Sequence, residues 1–222
     1  MTTGTAAEPY SGRSRATRDA LLDAAERLYA EQGIDNVSHR QITAGAGQGN
    51  NAAIAYHFGT SADLVRAVVL RHAVPIDDIR RRSLAGMGDP TDIRSWLDCL
   101  VRPLAEHLEQ LGVPTWYARL AAQLTTDPRR RAAVLEAASG TRTIAVLVEG
   151  LGRCVPDLPE PVRAERSDLA RLLVVQAFAE REAAVARGLP TPRATWAECA
   201  DGVTDALVGV WLAPVTGQWR TS

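Results

Sequence analysis

The sequence predicts an all-α protein in which a small head of short, capped helices precedes a larger helical body. Three observations carry this. Apolar residues recur at three- and four-residue spacings, and no segment alternates with a period of two. Helix starts marked by Ser, Thr or Asn, and stops marked by Gly or Pro, punctuate the chain. The 222 residues are 46% hydrophobic, ample for a packed core.

Residues 1–14 are small and polar, with Gly4, Pro9 and Gly12, and read as a disordered arm. A first helix is expected from Arg15 to Gln32, because Leu21, Leu22, Ala25, Leu28 and Tyr29 form one apolar stripe and Gly33 follows as a stop. Ser38 with Gln41 three residues later makes a capping box, so a two-turn helix from Ser38 to Ala44 follows, with Val37 and Ile42 facing inward. The tract Gly45, Ala46, Gly47, Gln48, Gly49 is a turn, since each glycine costs a helix about 1 kcal/mol relative to alanine. A third helix runs from Asn50 or Asn51 to Phe58, with Ile54 and Phe58 as its buried pair, and Gly59 ends it. Thr60 and Asp63 cap a fourth helix, 61–73, carrying Leu64, Val65, Val68 and Val69. From Pro75 onward, longer helices are expected at 75–85, 91–111, 115–125, 128–153, 160–187 and 193–213. This divides the chain into a head, 15–60, a body, 61–214, and a tail, 215–222.

Composition narrows the function. A net charge of −1 argues against a protein that coats nucleic acid, so any such contact is local. A local surface exists: no acidic residue lies between Asp35 and Asp63, while His39, Arg40 and His57 do, and Arg13, Arg15 and Arg18 precede them. A phosphate-facing surface needs that absence of repulsion as much as it needs cations. Cys99, Cys154 and Cys199 are widely spaced without a C-x-x-C pair, which suits neither a disulfide framework nor a zinc finger. Cys99 and His107 could share a helix face, but two potential ligands make no metal site, and neither metal nor cofactor is expected. No glycine-rich phosphate loop, G-x-S-x-G elbow or paired carboxylate frame appears, so catalysis is not expected. Residues 1–10 hold no signal-peptide core and no stretch approaches twenty apolar residues, which predicts a cytoplasmic protein without membrane association.

Two short helices joined by a glycine-containing turn, the second opening on hydrogen-bonding residues and lacking acids, meet the requirements of a helix-turn-helix. The stretch from Val37 to Leu64, VSHRQITAGAGQGNNAAIAYHFGTSADL, with the preceding ALLDAAERLYAEQG, resembles the TetR family of transcriptional regulators, in a form with paired asparagines at the recognition-helix start. That resemblance covers about 50 residues and implies that Ser38 caps the second helix and Arg40 contacts phosphate. It places Tyr56 and His57 at the backbone-contacting end of the recognition helix, and Asn50, Asn51, Ala52 and Ala55 toward the groove, with Gln48 in the turn before them. Asparagine suits bidentate contact with adenine, and an alanine methyl packs on the thymine methyl. Tyr56 and His57 could equally be packing residues, and Asn50 only a cap. Where the family often has a lysine at the start of the fourth helix, this chain has Ser61.

For the body the resemblance implies effector binding and dimerisation. Trp96, Cys99, Leu100, Pro103 and His107 on one helix, and Trp116, Tyr117, Arg119, Leu120 and Gln123 on the next, are the effector-binding candidates; plain core packing would use the same side chains. Pro103 should kink its helix. The last two long helices, through Leu169, Leu172, Leu173, Gln176, Ala177, Ala184, Val203, Leu207, Val210 and Trp211, are expected to form a homodimer interface, although a monomer core would use them too. The partners implied are operator DNA, a small-molecule effector and a second copy of the chain, with repression, released when the effector tilts the fourth helix, as the family default. The competing reading is a helical ligand-binding protein or enzyme whose head no longer reads DNA.

Overall fold

The computed structural model describes residues 12–50, 52–88, 90–139 and 141–216, and every regular element among them is helical. The chain forms two compact units that part between Val68 and Val69.

In the first unit, α1 (Gly12–Gln32) buries Leu21, Leu22, Ala25, Leu28 and Tyr29, the stripe expected from the sequence. A short 3-10 turn, Ile34–Asn36, leads to α2 (His39–Gly45) and α3 (Ala53–Phe58). Ile42 of α2 and Ile54 of α3 are fully buried, as are Leu21 and Ala25. Phe58 is only half-buried, and the Arg18 guanidinium lies 4.9 Å from its ring centre, so its role is a cation–π contact at the edge of the core and not a fully buried one.

The helix α4 (Ser61–Met87) is continuous, where a break had been expected at Pro75. Proline removes the hydrogen bond that the Arg71 carbonyl would accept, at a cost of about 3 kcal/mol. Burial outweighs it: Leu64, Val68, Val69, His72, Ala73, Ile76, Ile79 and Arg80 keep the three- and four-residue rhythm across Pro75, and all are buried.

The second unit continues with α5 (Ile93–Leu111), α6 (Tyr117–Thr126), α7 (Pro128–Ser139), α8 (Arg142–Cys154), α9 (Glu160–Ala186) and α10 (Trp196–Leu212). The single helix expected over 128–153 is two, because Thr141 adopts extended backbone as the N-cap of α8. Its hydroxyl donates to Asp77 Oδ1 at 2.8 Å, and that of Thr143 donates to the same oxygen. A continuous helix would forgo this arrangement. Helix α5 packs on α10 and α6 on α9 around a core that includes Leu97, Val101, Leu108, Phe178, Ala200 and Leu207. No described helix is long and apolar enough to cross a membrane.

Trp96 shows how tightly this unit is packed. It is 3% exposed, its indole N–H donates to the Pro90 carbonyl at 3.0 Å, and it packs with Cys99 and Leu147. A Cβ added at Gly150 of α8 would lie 2.5 Å from the indole ring. The ring is pinned at its N–H and cannot swing away. Gly150→Ala should therefore destabilise the chain by about 1–3 kcal/mol, the usual range for overpacking, as read by chemical denaturation; unchanged stability would show that the ring has room.

Candidate nucleic-acid interface and sensing core

The reading surface is built by local hydrogen bonds that the sequence encodes. Ser38 Oγ accepts from the Gln41 backbone N–H, and the Gln41 side chain accepts from the Ser38 N–H, closing the capping box of α2. At the other end of α2 the Gln48 N–H donates to the Thr43 carbonyl at 2.8 Å and the Gly47 N–H to the Ala44 carbonyl at 3.0 Å. This is a Schellman closure, and it places Gly47 at φ 67°, where a side chain would be strained. The Gln48 side chain turns back to donate to the Ala46 carbonyl at 3.3 Å, so its amide serves the turn.

The start of α3 differs from expectation. Asn50 Oδ1 accepts from the Ala52 N–H at 2.9 Å, and the helix begins at Ala53 with Ala52 as its N-cap, so Asn50 forms an Asx turn ahead of the helix. Asn51 lies outside the described residues. Arg40, Asn50, Ala52 and Ala55 are exposed, Tyr56 is 75% exposed, and His57 is half-buried. Tyr56 is therefore no packing residue. The His57 ring meets Tyr56 edge-on, with centroids 4.9 Å apart, and burial followed by the nearby Arg18 lowers its pKa, favouring the neutral ring.

One contact at this surface was not foreseen from the sequence. His39 Nε2 lies 2.6 Å from Ser61 Oγ, joining the first residue of α2 to the first of α4. The Ser61 hydroxyl thus has a protein partner. Thr60 and Asp63 cap α4 reciprocally: Thr60 Oγ1 accepts from the Asp63 N–H, and Asp63 Oδ2 accepts from both the N–H and the hydroxyl of Thr60, which holds the Asp63 carboxyl below its ordinary pKa.

In the body, the effector-binding candidates are dispersed over several separate groups. Trp96, Cys99 and half-buried Leu100 belong to the cluster with Leu147, where the Cys99 thiol meets Met87 Sδ at 3.3 Å. His107 and Tyr117 belong with His72 of α4: His72 Nδ1 and His107 Nε2 are 2.8 Å apart, and the Tyr117 ring stacks on His72 with centroids 3.9 Å apart. Pro103 and Leu120 are buried, and Trp116 and Gln123 are half-buried. Arg119 is committed to structure. Its Nε donates to Glu182 Oε2 at 3.0 Å, while Glu182, 2% exposed, also accepts from the backbone N–H groups of Ala118 and Arg119 and from the Thr115 hydroxyl. Glu182 of α9 therefore caps α6 across the fold, with a buried carboxylate on the helix N-terminus.

Helix α4 contributes a buried polar row that the sequence reading missed: His72, Asp77 and Arg80, each less than 9% exposed. The signal was present, since 72, 76, 79 and 80 continue the apolar stripe and two of the four are ionisable. Asp77 accepts from Thr141, Thr143, Arg80 and Arg81. A separate groove of about 500 Å3 is lined by residues of α9, α10 and their connection, among them Leu173, Ala177, Arg181, Thr191, Arg193 and Cys199. None of the effector-binding candidates lines it.

A capped two-helix reading unit with an exposed, acid-free face, joined to a helical body, defines a helix-turn-helix DNA-binding protein. Residues 21–68 match the model of the bacterial regulatory proteins, tetR family, so the head is similar to the head of those regulators. No curated protein matches the chain. Among solved structures, a candidate tetR family regulator from Shewanella sp. PV-4 shares the fold with a TM-score of 0.60 at 14% identity, over 88% of this chain and 96% of that one. The Thermus thermophilus FadR repressor, in complex with lauroyl-CoA, has a TM-score of 0.50 at 18% identity over 92% and 100%. The multidrug binding protein EbrR, complexed with malachite green, has a TM-score of 0.50 at 19% identity over 89% and 98%.

The buried histidine pair sets a pH dependence. Burial and the neighbouring His72 lower the His107 pKa to about 4. Its folded pKa lies below the unfolded value of 6.5, so its contribution is full above pH 6.5 and is lost as the pH falls toward 4. Between pH 7 and pH 5 the loss from this group alone is about 2 kcal/mol. Denaturation series at the two pH values should show it, and His107→Gln should flatten it; equal slopes for wild type and variant would remove the assignment.

Proposed function

We propose that the chain is a homodimeric, ligand-responsive repressor that grips a pseudo-palindromic operator through Arg40 and the α3 surface and lets go when a small molecule occupies the body. The observation that carries the reading is the exposed set Arg40, Asn50, Ala52, Ala55 and Tyr56 on a capped, acid-free helix-turn-helix. Arg40 serves phosphate, while Asn51 and the small side chains of Ala52 and Ala55 serve base edges. Asn50 serves by setting where α3 begins, because its carboxamide oxygen is already engaged by Ala52.

Helix α4 belongs to both units, Ser61–Val68 to the first and Val69–Met87 to the second, which makes it the covalent route from sensing to reading. Two proteins of similar fold are described with bound organic molecules, lauroyl-CoA and malachite green, and this precedent favours a ligand in the body here. Coupling requires only that the ligand favour one of two states by 1–3 kcal/mol, a typical figure.

Dimerisation falls to α9 and α10. Leu169 and Leu172 of α9 and Leu212 of α10 are exposed, and Gln176 is exposed beside half-buried Leu173 and Ala177. Val203, Leu207 and Trp211, by contrast, are buried within the chain's own core and are taken out of the interface. A two-fold pair would present recognition helices about 34–36 Å apart, or a multiple of that, matching an operator with two half-sites. The absence of a membrane-spanning helix among the described residues suits a regulator that works in the cytoplasm.

Binding to a labelled fragment of the gene's own upstream DNA, measured at several salt concentrations, tests the reading. Arg40→Ala should weaken binding to all sequences and reduce the salt slope by about one phosphate. Asn51→Ala should cost about 1–3 kcal/mol at particular base pairs only. A uniform loss from both would remove Asn51 from readout, and no specific binding by the wild type would favour a head that no longer reads DNA.

A further inference from the structure

Arg80 is 6% exposed, yet the protein satisfies it poorly. Its one hydrogen bond to Asp77 Oδ1 is 3.3 Å long, and its buried Nε–H meets no acceptor among the described residues. Asp77 cannot give more. Oδ1 also takes the hydroxyls of Thr141 and Thr143, and Oδ2 takes Arg81 at 3.2 Å, while Arg81 is itself paired with Asp78 at 2.6 Å on the surface. A guanidinium carries five N–H donors in a planar fork that matches a carboxylate, and buried donors in native proteins are almost always met. Arg163, Arg171 and Arg181 also leave a buried Nε–H unmet among the described residues, but each donates to a backbone carbonyl, whereas Arg80 has only its long bond to Asp77 and so keeps donors for a second anion.

The surroundings state what else that anion carries. On the same helix, His72, eight residues before Arg80, stacks on Tyr117, and Leu84, four residues after it, packs against the cluster that holds Cys99. Ile76 and Tyr117 belong to the main core cluster, with Leu100 packed against it, and Leu120 is fully buried. The helices that carry Arg80 and Cys99, α4 and α5, each contain an internal proline, Pro75 and Pro103, and so each lack one backbone hydrogen bond. Asp77 keeps the site from being simply electropositive and sets the selection: a compact, singly charged head with an apolar or aromatic body fits, a multiply charged one does not.

We infer that the body of this regulator takes a small organic carboxylate, its head on Arg80 and its apolar part against Tyr117 and the neighbouring side chains of α5 and α6. The inference rests on the ligand-responsive reading above and names the chemistry of the ligand. It also adds Arg80 to the residues that hold it.

The test compares octanoate and phenylacetate with octanamide and phenylacetamide, and with chloride and inorganic phosphate, on the full-length protein. Thermal unfolding and tryptophan fluorescence are read for wild type, Arg80→Lys and Arg80→Gln, with circular dichroism confirming that each variant folds. The expected result is that at least one carboxylate raises the melting temperature and shifts the fluorescence while its amide does not. Arg80→Lys should weaken it by about tenfold or more, since the fork geometry is lost, and Arg80→Gln should abolish it. If Arg80→Gln does not fold, the contrast between carboxylate and amide on the wild type, with Arg80→Lys, still decides. Equal response to carboxylate and amide, response to phosphate or chloride only, no response to any probe, or undiminished response in a folded Arg80→Gln overturns the inference. Operator binding read in parallel separates the two claims: release by amides alone keeps the sensor and removes the anion site, whereas Arg80-dependent carboxylate binding without release keeps the site and removes the sensor.

Discussion

The second half of α4 has polar residues where a helix normally buries apolar ones, and the packing of the body answers to that constraint. His72, Asp77 and Arg80 are all withdrawn from water. An unmet buried polar group costs about 1–3 kcal/mol and a buried charge more, so each needs a partner at a fixed place. His72 fixes His107 of α5 and Tyr117 of α6, and Asp77 fixes Thr141 and Thr143 at the start of α8. Three other helices thereby take their positions from one side of α4. Arg80 is the member of the row left short, which is why it, and not the aromatic stripe of α5, points to what the body binds.

The same principle governs the head at smaller scale. Its helices α2 and α3, of seven and six residues, are too short to persist alone in water, so the chain around them must be closed by specific groups. Ser38 with Gln41, Gly47 with Gln48, Asn50 with Ala52 and Thr60 with Asp63 do this in succession. Arg40, Tyr56 and the small side chains of α3 form the exposed face. Near-neutral charge over the whole chain is consistent with such a reader: the local absence of acids replaces a broad basic patch, and in the proposed dimer two heads on one operator would compensate for the modest charge of each.

Most of the head was legible in the sequence because its signals are local. Caps, glycine stops and a period of 3.6 are decided within a few residues, and Ser38, Gly47, Thr60 and Ile54 are placed as those signals require. Errors arose where long-range burial outweighed a local rule. Pro75 reads as a break, yet α4 continues because the buried stripe on both sides of it is worth more than one hydrogen bond. Residues 128–153 read as one helix, yet Asp77, more than sixty residues earlier, draws Thr141 out of it. Phe58 reads as core, but Arg18 reaches its ring from another helix. In the body the aromatic and apolar candidates were visible by type, while the pairing of Arg119 with Glu182, 63 residues apart, was not, and that pairing reassigns Arg119 from ligand to scaffold.

Hydrogen–deuterium exchange of the full chain, free and saturated with its operator, addresses the reading of the head most directly. Backbone amides from Ser38 to Phe58 should gain protection on DNA binding, most at the start of α3, while those of α9 that face the chain's own core stay unchanged. Unaltered exchange across Ser38 to Phe58 in a protein demonstrably bound to DNA would contradict the assignment of this segment as the reader.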